Sequence, residues 1–465
     1  MKYVFKKSVF FILVLFFGLL SVSCQEKERP NIVLINIDDL GWSDTGFMGS
    51  IFYETPNIDT LSKEGIVFNN GYAAAANCAP SRASLMTGHW PQRHGILTVG
   101  KSERGKSADR KIVPVRNQKT ISSNVILLPK LLQQNGYKTC HAGKWHLSDN
   151  PLQKGFDSNI GGSHAGHPSS YYPPYKNVDL QSDEGKRLTD VVMDGVLDFV
   201  QNSDSPFFIN YSPYAVHAPI QPVPSLLGKY KNKSGEEGAS NVNYATMIEN
   251  MDWNVGRLIE LLKKMGKYEN TLIIFTSDNG GLFSVSNQHP LRAGKGSYYE
   301  GGIRVPFFFV WKEKIKRVQI SETPISNLDI YPTVLQAAGI EPSKELSLDG
   351  TDITALLEGK EELKSRTLFW YFPIYLQAVT PKNENRDLKF RTRPGSVIRK
   401  GDWKLHYYFE NRDVELYNLK DDIGEKKNLA ESRADVANKM LVELKDWLKQ
   451  TRAEIPSQPN SAYQK

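Results

Sequence analysis

Separate apolar runs in this chain finish in polar motifs, a pattern that a sheet of buried parallel strands accommodates. The run Asn31–Ile37 is nearly all apolar, as a strand covered on both faces must be, and it ends in Asp38-Asp39. Residues 137–140 lead into Gly143-Lys144-Trp145-His146, residues 206–211 deliver His217, and Thr271–Ser277 reaches Asp278-Asn279-Gly280-Gly281. In open α/β sheets, sites gather beyond the carboxyl ends of the strands, so motifs far apart in sequence can converge there.

The expected fold is therefore α/β, with a large, mixed but mostly parallel central sheet flanked by helices and a smaller C-terminal α+β unit. A chain of 465 residues with 40% hydrophobic and 11% aromatic residues can fill such a core, which excludes a disordered or fibrous protein. Helices are expected at 56–65, 122–134, 188–201, 241–265 and 327–338. A Glu/Lys-rich change of composition at 355–366 marks a boundary, giving a main domain over 31–362 and a C-terminal one over 363–465. The latter carries β-type segments at 367–372, 396–408 and 415–419, then an amphipathic helix at 435–448.

Residues 1–23 read as a signal peptide: Lys2, Lys6 and Lys7 precede the apolar run 9–17, and small residues precede Cys24. Leu20-Ser21-Val22-Ser23-Cys24 resembles a bacterial lipobox, so Cys24 is expected to carry a lipid and residues 24–30 to form a polar tether. Export to the periplasm, or to the outer membrane or cell surface as a lipoprotein, follows. No later run is long enough to span a bilayer. Loss of those three lysines takes the formal net charge of +7 down by three, too mild and dispersed a basic excess to indicate nucleic acid. With Cys24 lipidated and Cys78 set apart by its motif, Cys140 alone remains, so no disulfide framework is possible and the chain must rely on its core.

The motifs suit chemistry on an anion. The stretch Asn77-Cys78-Ala79-Pro80-Ser81-Arg82-Ala83-Ser84-Leu85-Met86-Thr87-Gly88 sets a cysteine at the mouth of a helix, where Pro80 fits the first turn and Gly88 ends the helix. Cys78 then faces unpaired amides and a positive dipole end, a place that favours an anion or a metal-bound oxygen beside it. Asp38 and Asp39 would point to opposite faces of a regular strand, so the backbone must leave strand geometry for both to serve one site. Side by side they call for a cation. Lys144 and His146, two residues apart, project to one side in extended geometry, where a cation and an imidazole can bind an oxyanion and protonate a leaving group. His94 is read as structural. Residues 98–121 are polar and Lys/Arg-rich, and read as a surface insertion bordering the cleft. Residues 161–175, with His164, His167 and several tyrosines, form an irregular aromatic loop whose rings either pack or stack on a sugar.

Cys78-x-Pro80-x-Arg82 followed by Leu85-Met86-Thr87-Gly88 resembles the maturation signature of the type I sulfatases of the alkaline phosphatase superfamily, in which the cysteine is oxidised to formylglycine, 3-oxoalanine. The likeness runs over nearly the whole mature chain, through Asp38-Asp39, Lys144 and His146, His217, Asp278-Asn279-Gly280 and Lys295 with residues 300–306. It continues through Gly401-Asp402-Trp403-Lys404-Leu405 and Glu415-Leu416-Tyr417. The resemblance implies an alkaline phosphatase-like fold and a sulfuric ester hydrolase acting on a sulfated saccharide. By it, Asp38, Asp39, Asp278, Asn279 and the modified Cys78 would bind one divalent metal, and an all-oxygen set with an amide suits Ca²⁺, or Mg²⁺, and not zinc.

The same resemblance implies a hydrated aldehyde at Cys78. One hydroxyl attacks sulfur, and the other later loses a proton so that the hemiacetal collapses and expels sulfate. Arg82 would hold the gem-diol, Lys144 and Lys295 the sulfate oxygens, and one of His146 and His217 the leaving oxygen while the other assists elimination. A formylglycine-generating maturation enzyme is the implied partner. The candidates for substrate contact are His164, His167, Arg292, Trp370, Arg391 and Arg393, the last three from the smaller domain. Alternative readings are a formylglycine-dependent phosphodiester or phosphonate hydrolase, and a non-catalytic lipoprotein that binds sulfated glycans.

Overall fold

The strands of the main sheet lie in the order Ser158–Ile160, Lys138–Gly143, Phe207–Ser212, Asn31–Ile37, Thr271–Ser277, Phe308–Val310, Ile66–Phe68, Gln319–Ser321. This computed structural model describes residues 29–464 apart from 183–184, 205, 344–345, 364 and 379–383, so the signal peptide, Cys24 and most of the tether lie outside the described residues. Neighbouring strands are parallel except at Phe308–Val310, which runs antiparallel to both its neighbours. The expected mostly parallel α/β sheet is therefore present.

Alternation along one strand explains the layers. Val33, Ile35 and Ile37 of the first strand join a core with Val192, Val196, Ile248 and Met251, while Ile32 and Leu34 join a second core with Ala83, Leu85, Leu128 and Val334. The helices Leu188–Gln201 and Val242–Lys264 thus cover one face, and Cys78–Thr87, Leu128–Gln134 and Ile330–Ala337 the other. Parallel pairing sets Ile37 beside Ser277 and Gly143 beside Ser212. The residues that follow these strands consequently emerge together at one edge of the sheet.

Local chemistry moved some boundaries. The helix expected at 122–134 begins only at Leu128, because extended Leu127 caps it and Pro129 occupies its first turn. The segment at 396–408 is a hairpin of Gly395–Lys400 and Trp403–Tyr408, turned at Gly401, whose φ of 57° favours glycine. The helix expected at 327–338 opens as a 3-10 turn, Asn327–Asp329, before continuing as Ile330–Ala337.

In the C-terminal unit Thr367–Phe372, Gly395–Lys400, Trp403–Tyr408 and Val414–Asn418 form an antiparallel sheet. The helix Ala434–Gln450 lays Ala437, Met440, Leu444 and Leu448 on it. Tyr72, Ala76, Tyr298 and Ile303 from the main sheet's side belong to the same core. Between the two units lies a buried ionic cluster: Lys404 Nζ donates to Glu300 at 2.8 Å and pairs with Glu425 at 3.0 Å, while Tyr72 donates to Glu300 at 2.7 Å. The backbone N–H of Glu300 donates to Glu425 at 2.6 Å.

Burial alone would raise the Glu300 carboxyl, but Lys404, Arg304 and Arg399 outweigh it and hold it at about 2. Its ordinary value is 4.5, so the stability it contributes is complete above pH 4.5 and is lost as pH falls towards 2. Replacing Lys404 by Met leaves Glu300 and Glu425 buried with too little positive charge, and is expected to cost about 3–5 kcal/mol in urea unfolding at neutral pH. Glu300→Gln should flatten the loss of stability between pH 4.5 and 2, measured by the same unfolding curves.

Candidate active site

Cys78–Thr87 forms the expected helix, with Asn77 extended before it and Gly88 at φ 68° donating its N–H to Ser84 O at 2.8 Å. Asp38 leaves the end of its strand, and Asp39 turns into the left-handed region at φ 58°, which brings both carboxylates to one place as the sequence requires. Cys78 Sγ is 4.0 Å from Asp39 Oδ1. Ligand atoms of Asp38, Asp39, Cys78 and His217 lie within 4.8 Å of one another.

Three carboxylates meet three cations here. Lys144 Nζ donates to both oxygens of Asp38 at 2.8 and 2.7 Å, Lys295 Nζ sits 2.7 Å from both oxygens of Asp39, and Arg82 Nε donates to Asp278 Oδ2 at 2.7 Å. Asp278 Oδ1 accepts from the Asp39 N–H at 3.2 Å, and Asn279 Nδ2 donates to Asp39 Oδ1 at 2.8 Å. Arg82 Nη1 donates to Lys144 O at 2.8 Å, tying helix to strand. Among the described residues, Asn279 Oδ1, Arg82 Nη2 and His146 Nδ1 are buried without a hydrogen-bond partner. An orphaned amide oxygen beside three carboxylates fits a hard divalent cation, and Arg82 Nη2, 3.7 Å from Asp38 Oδ1 and without a hydrogen bond, fits an oxyanion.

Burial pushes Asp38 up to about 7 in spite of Lys144, with Asp278 and Asp39 adding to the rise. Burial works the same way on Asp39, but there Lys295, His217 and Lys144 prevail and hold it well below the usual carboxylate range. Burial also pushes the Cys78 thiol up to about 11, against Lys144 and Lys295 and with Asp278 and Asp38 adding to it. A thiolate at this helix mouth is thus disfavoured: burial, with Asp278 and Asp38, outweighs Lys144 and Lys295.

Lys144 and His146 do reach the same site, though not by strand geometry. The strand ends at Gly143, and His146 takes φ 65° while its N–H donates to Ser163 O at 2.9 Å. Exposed His164 packs edge-on against His146 at 5.9 Å, and exposed His167 stacks on His217 at 5.7 Å. A Cβ at Gly166 would lie 2.7 Å from His146 Cε1, so only glycine permits this approach. His217 Nδ1 faces Ala218 O at 2.7 Å and Nε2 lies 3.5 Å from Asp39 Oδ2. Burial lowers His217 to about 3 and His146 well below its ordinary value, with Asp39 opposing at His217 and Lys144 and Arg82 reinforcing at His146.

Several expected substrate contacts lie elsewhere. Trp370 is 1% exposed and donates to Ala73 O at 2.8 Å, so it is core and not cleft wall. Arg393 is neutralised by Asp387 at 2.6 Å and Glu410 at 3.0 Å. Arg292 lies 3.8 Å over the Tyr299 ring and donates to the carbonyls of Glu384 and Glu425, joining the two units. Tyr171 is buried, its hydroxyl donating to Tyr214 O and His217 O at 2.5 and 2.8 Å, and Tyr175 is buried too, so these rings pack. His94 is structural, held by Ser84 Oγ at 3.0 Å and Ile96 N at 3.1 Å. Arg391 does approach the site, donating to Lys295 O at 3.0 Å.

Sequence reasoning passed over Asp44. It accepts from Gly41 N and Tyr244 OH at 2.9 Å and from Ser286 Oγ at 2.5 Å, bracing the turn that carries Asp39. Nothing local marks it, since two of these partners come from distant segments.

Fold and site together define a hydrolase of the alkaline phosphatase type. Comparison with known proteins narrows this. A family model described as Sulfatase matches residues 30–340, and one described as N-sulphoglucosamine sulphohydrolase, C-terminal, matches 294–454. The chain is 32% identical to a sulfatase of Formosa agariphila over 94% of this chain and 93% of that one. It is 32% identical to the N-acetylgalactosamine-6-sulfatase of Homo sapiens over 76% of this chain and 70% of that one. Among solved structures, Ps i-CgsB in complex with k-i-k-neocarrahexaose has a TM-score of 0.73 at 32% identity, covering 90% of this chain and 93% of that one. The phosphonate monoester hydrolase of Agrobacterium radiobacter, at 21% identity and a TM-score of 0.67, shares the fold. The chain belongs to the sulfatase family and is a sulfuric ester hydrolase.

Unconverted Cys78, with its thiol at about 11, is expected to resist iodoacetamide at neutral pH in the folded protein and to react at the ordinary rate in urea. Peptide mass spectrometry of alkylated samples measures both rates.

Proposed function

We propose that this chain removes sulfate from a saccharide ester through a hydrated formylglycine made from Cys78, with one Ca²⁺, or Mg²⁺, held by Asp38, Asp39, Asp278 and Asn279. The observation that carries this reading is the buried set of three carboxylates, three cations and orphaned Asn279 Oδ1 and Arg82 Nη2 around one cysteine. The printed names of the relatives, an N-acetylgalactosamine-6-sulfatase and a protein bound to k-i-k-neocarrahexaose, support a sulfated carbohydrate as substrate. The leader and lipobox in the sequence support export, with Cys24 as lipid anchor.

A thiol at about 11 is a poor nucleophile at neutral pH, which supports its conversion before use. Oxidation by a maturation enzyme gives an aldehyde, and water adds to give two hydroxyls on one carbon. One hydroxyl oxygen forms the bond to sulfur as the sugar oxygen leaves. Loss of the other hydroxyl's proton then drives carbon–oxygen cleavage, which releases sulfate and restores the aldehyde. A divalent ion held by Asp38, Asp39, Asp278 and Asn279 would supply positive charge to acidify a hydroxyl and polarise the sulfate group.

The chain's own residues do the rest. Arg82, fixed by Asp278 and the Lys144 carbonyl, keeps Nη2 for an oxygen at residue 78. Lys144, paired with Asp38, and Lys295, paired with Asp39, bring ammonium groups to sulfate oxygens. A carbonyl can only accept, so His217 donates Nδ1–H to Ala218 O and keeps Nε2 for exchanging a proton with the sugar or the gem-diol, a task it divides with His146.

Co-expression with a maturation enzyme should give the 3-oxoalanine mass across residues 77–82 and release sulfate, read by ion chromatography. Cys78→Ser, in a host that cannot convert serine, should lose at least about a thousandfold in turnover while folding normally. Full activity with Cys78 wholly unmodified overturns the mechanism. Phosphate release from aryl phosphodiesters exceeding sulfate release would favour the phosphodiesterase alternative, and neither release would favour a glycan-binding protein.

Chelation should abolish turnover, with Ca²⁺ or Mg²⁺ restoring it. Stoichiometric zinc in the active protein would count against the metal assignment.

A further inference from the structure

The polar insertion at 98–121 is not used by any step above, yet it lays an arginine beside the strand pair that carries Arg391. Glu103 bridges to Tyr375, and the Arg104 N–H donates to Tyr375 O at 3.4 Å. The next residues, Leu376–Gln377, pair with Phe390–Thr392, so Arg104 and Arg391 are carried on adjoining backbone rows. Arg110 grips the turn from below, donating to the carbonyls of Glu103 and Gly105 at 3.1 and 2.7 Å.

Arg391 is fixed by its own contacts. Its Nε donates to Gln377 O at 3.1 Å and its Nη1 to Lys295 O at 3.0 Å, and a Cβ at Gly296 would lie 3.2 Å from its Cζ. The same Lys295 holds Asp39 with its ammonium, so Arg391 is one residue removed from the reacting centre. Nη2 of Arg391 and the side chain of Arg104 have no carboxylate partner among the described residues, whereas Arg393, two positions on, has two.

Burial first, and then Arg104, push Arg391 down to about 10, with only Asp39 and Cys78 pulling the other way. Two half-buried guanidinium groups on adjoining backbone rows, neither paired with a carboxylate among the described residues, favour an incoming anion. Arginine forks match planar or tetrahedral oxyanions by paired hydrogen bonds.

We infer that Arg104 and Arg391 form a second oxyanion subsite on the cleft rim, which receives another sulfate or a uronate carboxylate of the saccharide whose ester lies at Cys78. This rests on the saccharide sulfatase reading. It makes a doubly charged saccharide the preferred substrate and gives the insertion its role.

The test is equilibrium binding in the full-length Cys78→Ser background, by calorimetry. The probes are N-acetylgalactosamine 6-sulfate, its 4,6-disulfate, and the monosulfate joined to a uronic acid. One of the doubly charged probes should bind at least about tenfold tighter than the monosulfate, and which one it is separates sulfate from carboxylate. Arg104→Gln should bring that ratio close to one. Arg391→Lys, which keeps the charge but loses the fork, should lower it in part. Equal binding of all three probes, or a ratio that survives Arg104→Gln, overturns the subsite. Sulfate release by converted wild-type protein is followed separately, so a failure of the hydrolase reading shows there and leaves the binding ratio to judge the subsite.

Discussion

Matched charge without water governs this molecule. Asp38, Asp39 and Asp278 end two adjacent parallel strands, all three carboxylates are buried, and each is met by a cation from another part of the chain. Two charges out of water are tolerated only when paired closely and fully hydrogen-bonded. Each pair is therefore also a constraint on fold: Lys144 must end its strand level with Asp38, Arg82 must stand on the second turn of the Cys78 helix, and the Lys295 loop must close over Asp39. A divalent ion on these carboxylates would compete with the ammonium groups for the same oxygens, which couples metal and oxyanion binding at one place.

The C-terminal unit is part of this arrangement. Arg391 and Thr392 hold the carbonyls of Lys295 and Gly296, while Lys404 and Glu425 hold Glu300 a few residues on. Arg292 and Arg304 add further ties on the same stretch. The two family models overlap over residues 294–340, and the part of that overlap nearest the site is backbone that both units grip. The short pair Leu376–Gln377 and Phe390–Thr392 thus clamps the Lys295 loop, while the four-stranded sheet holds Glu300 through Lys404.

The histidine roof shows how loops complete what strands begin. His146 and His217 come from strand ends, but Gly166 and the exposed rings of His164 and His167 confine them from a segment with little regular structure. Tyr171, expected either to pack or to meet sugar, instead locks the carbonyls around His217. An aromatic loop can therefore set the position of an imidazole by holding the backbone that carries it.

Much of the fold was legible because it rests on local pattern. Unbroken apolar runs announce parallel strands buried on both faces, Pro80 and Gly88 bound the Cys78 helix, and Asp38-Asp39 demands a departure from strand geometry, which Asp39 makes in the left-handed region. What the sequence could not determine is which charges and rings find partners. Arg391, within the strand Phe390–Thr392, and Arg393, just beyond it, stand two apart and look equivalent, yet Arg393 meets Glu410 and Asp387 while Arg391 meets only carbonyls and Arg104's field. Trp370 looked available and is core, and burial raises the Cys78 thiol in spite of Lys144 and Lys295. Residue type and spacing set which chemistry is possible. Burial and the pairing of distant charges, decided only when the sheets close on each other, set where it is used.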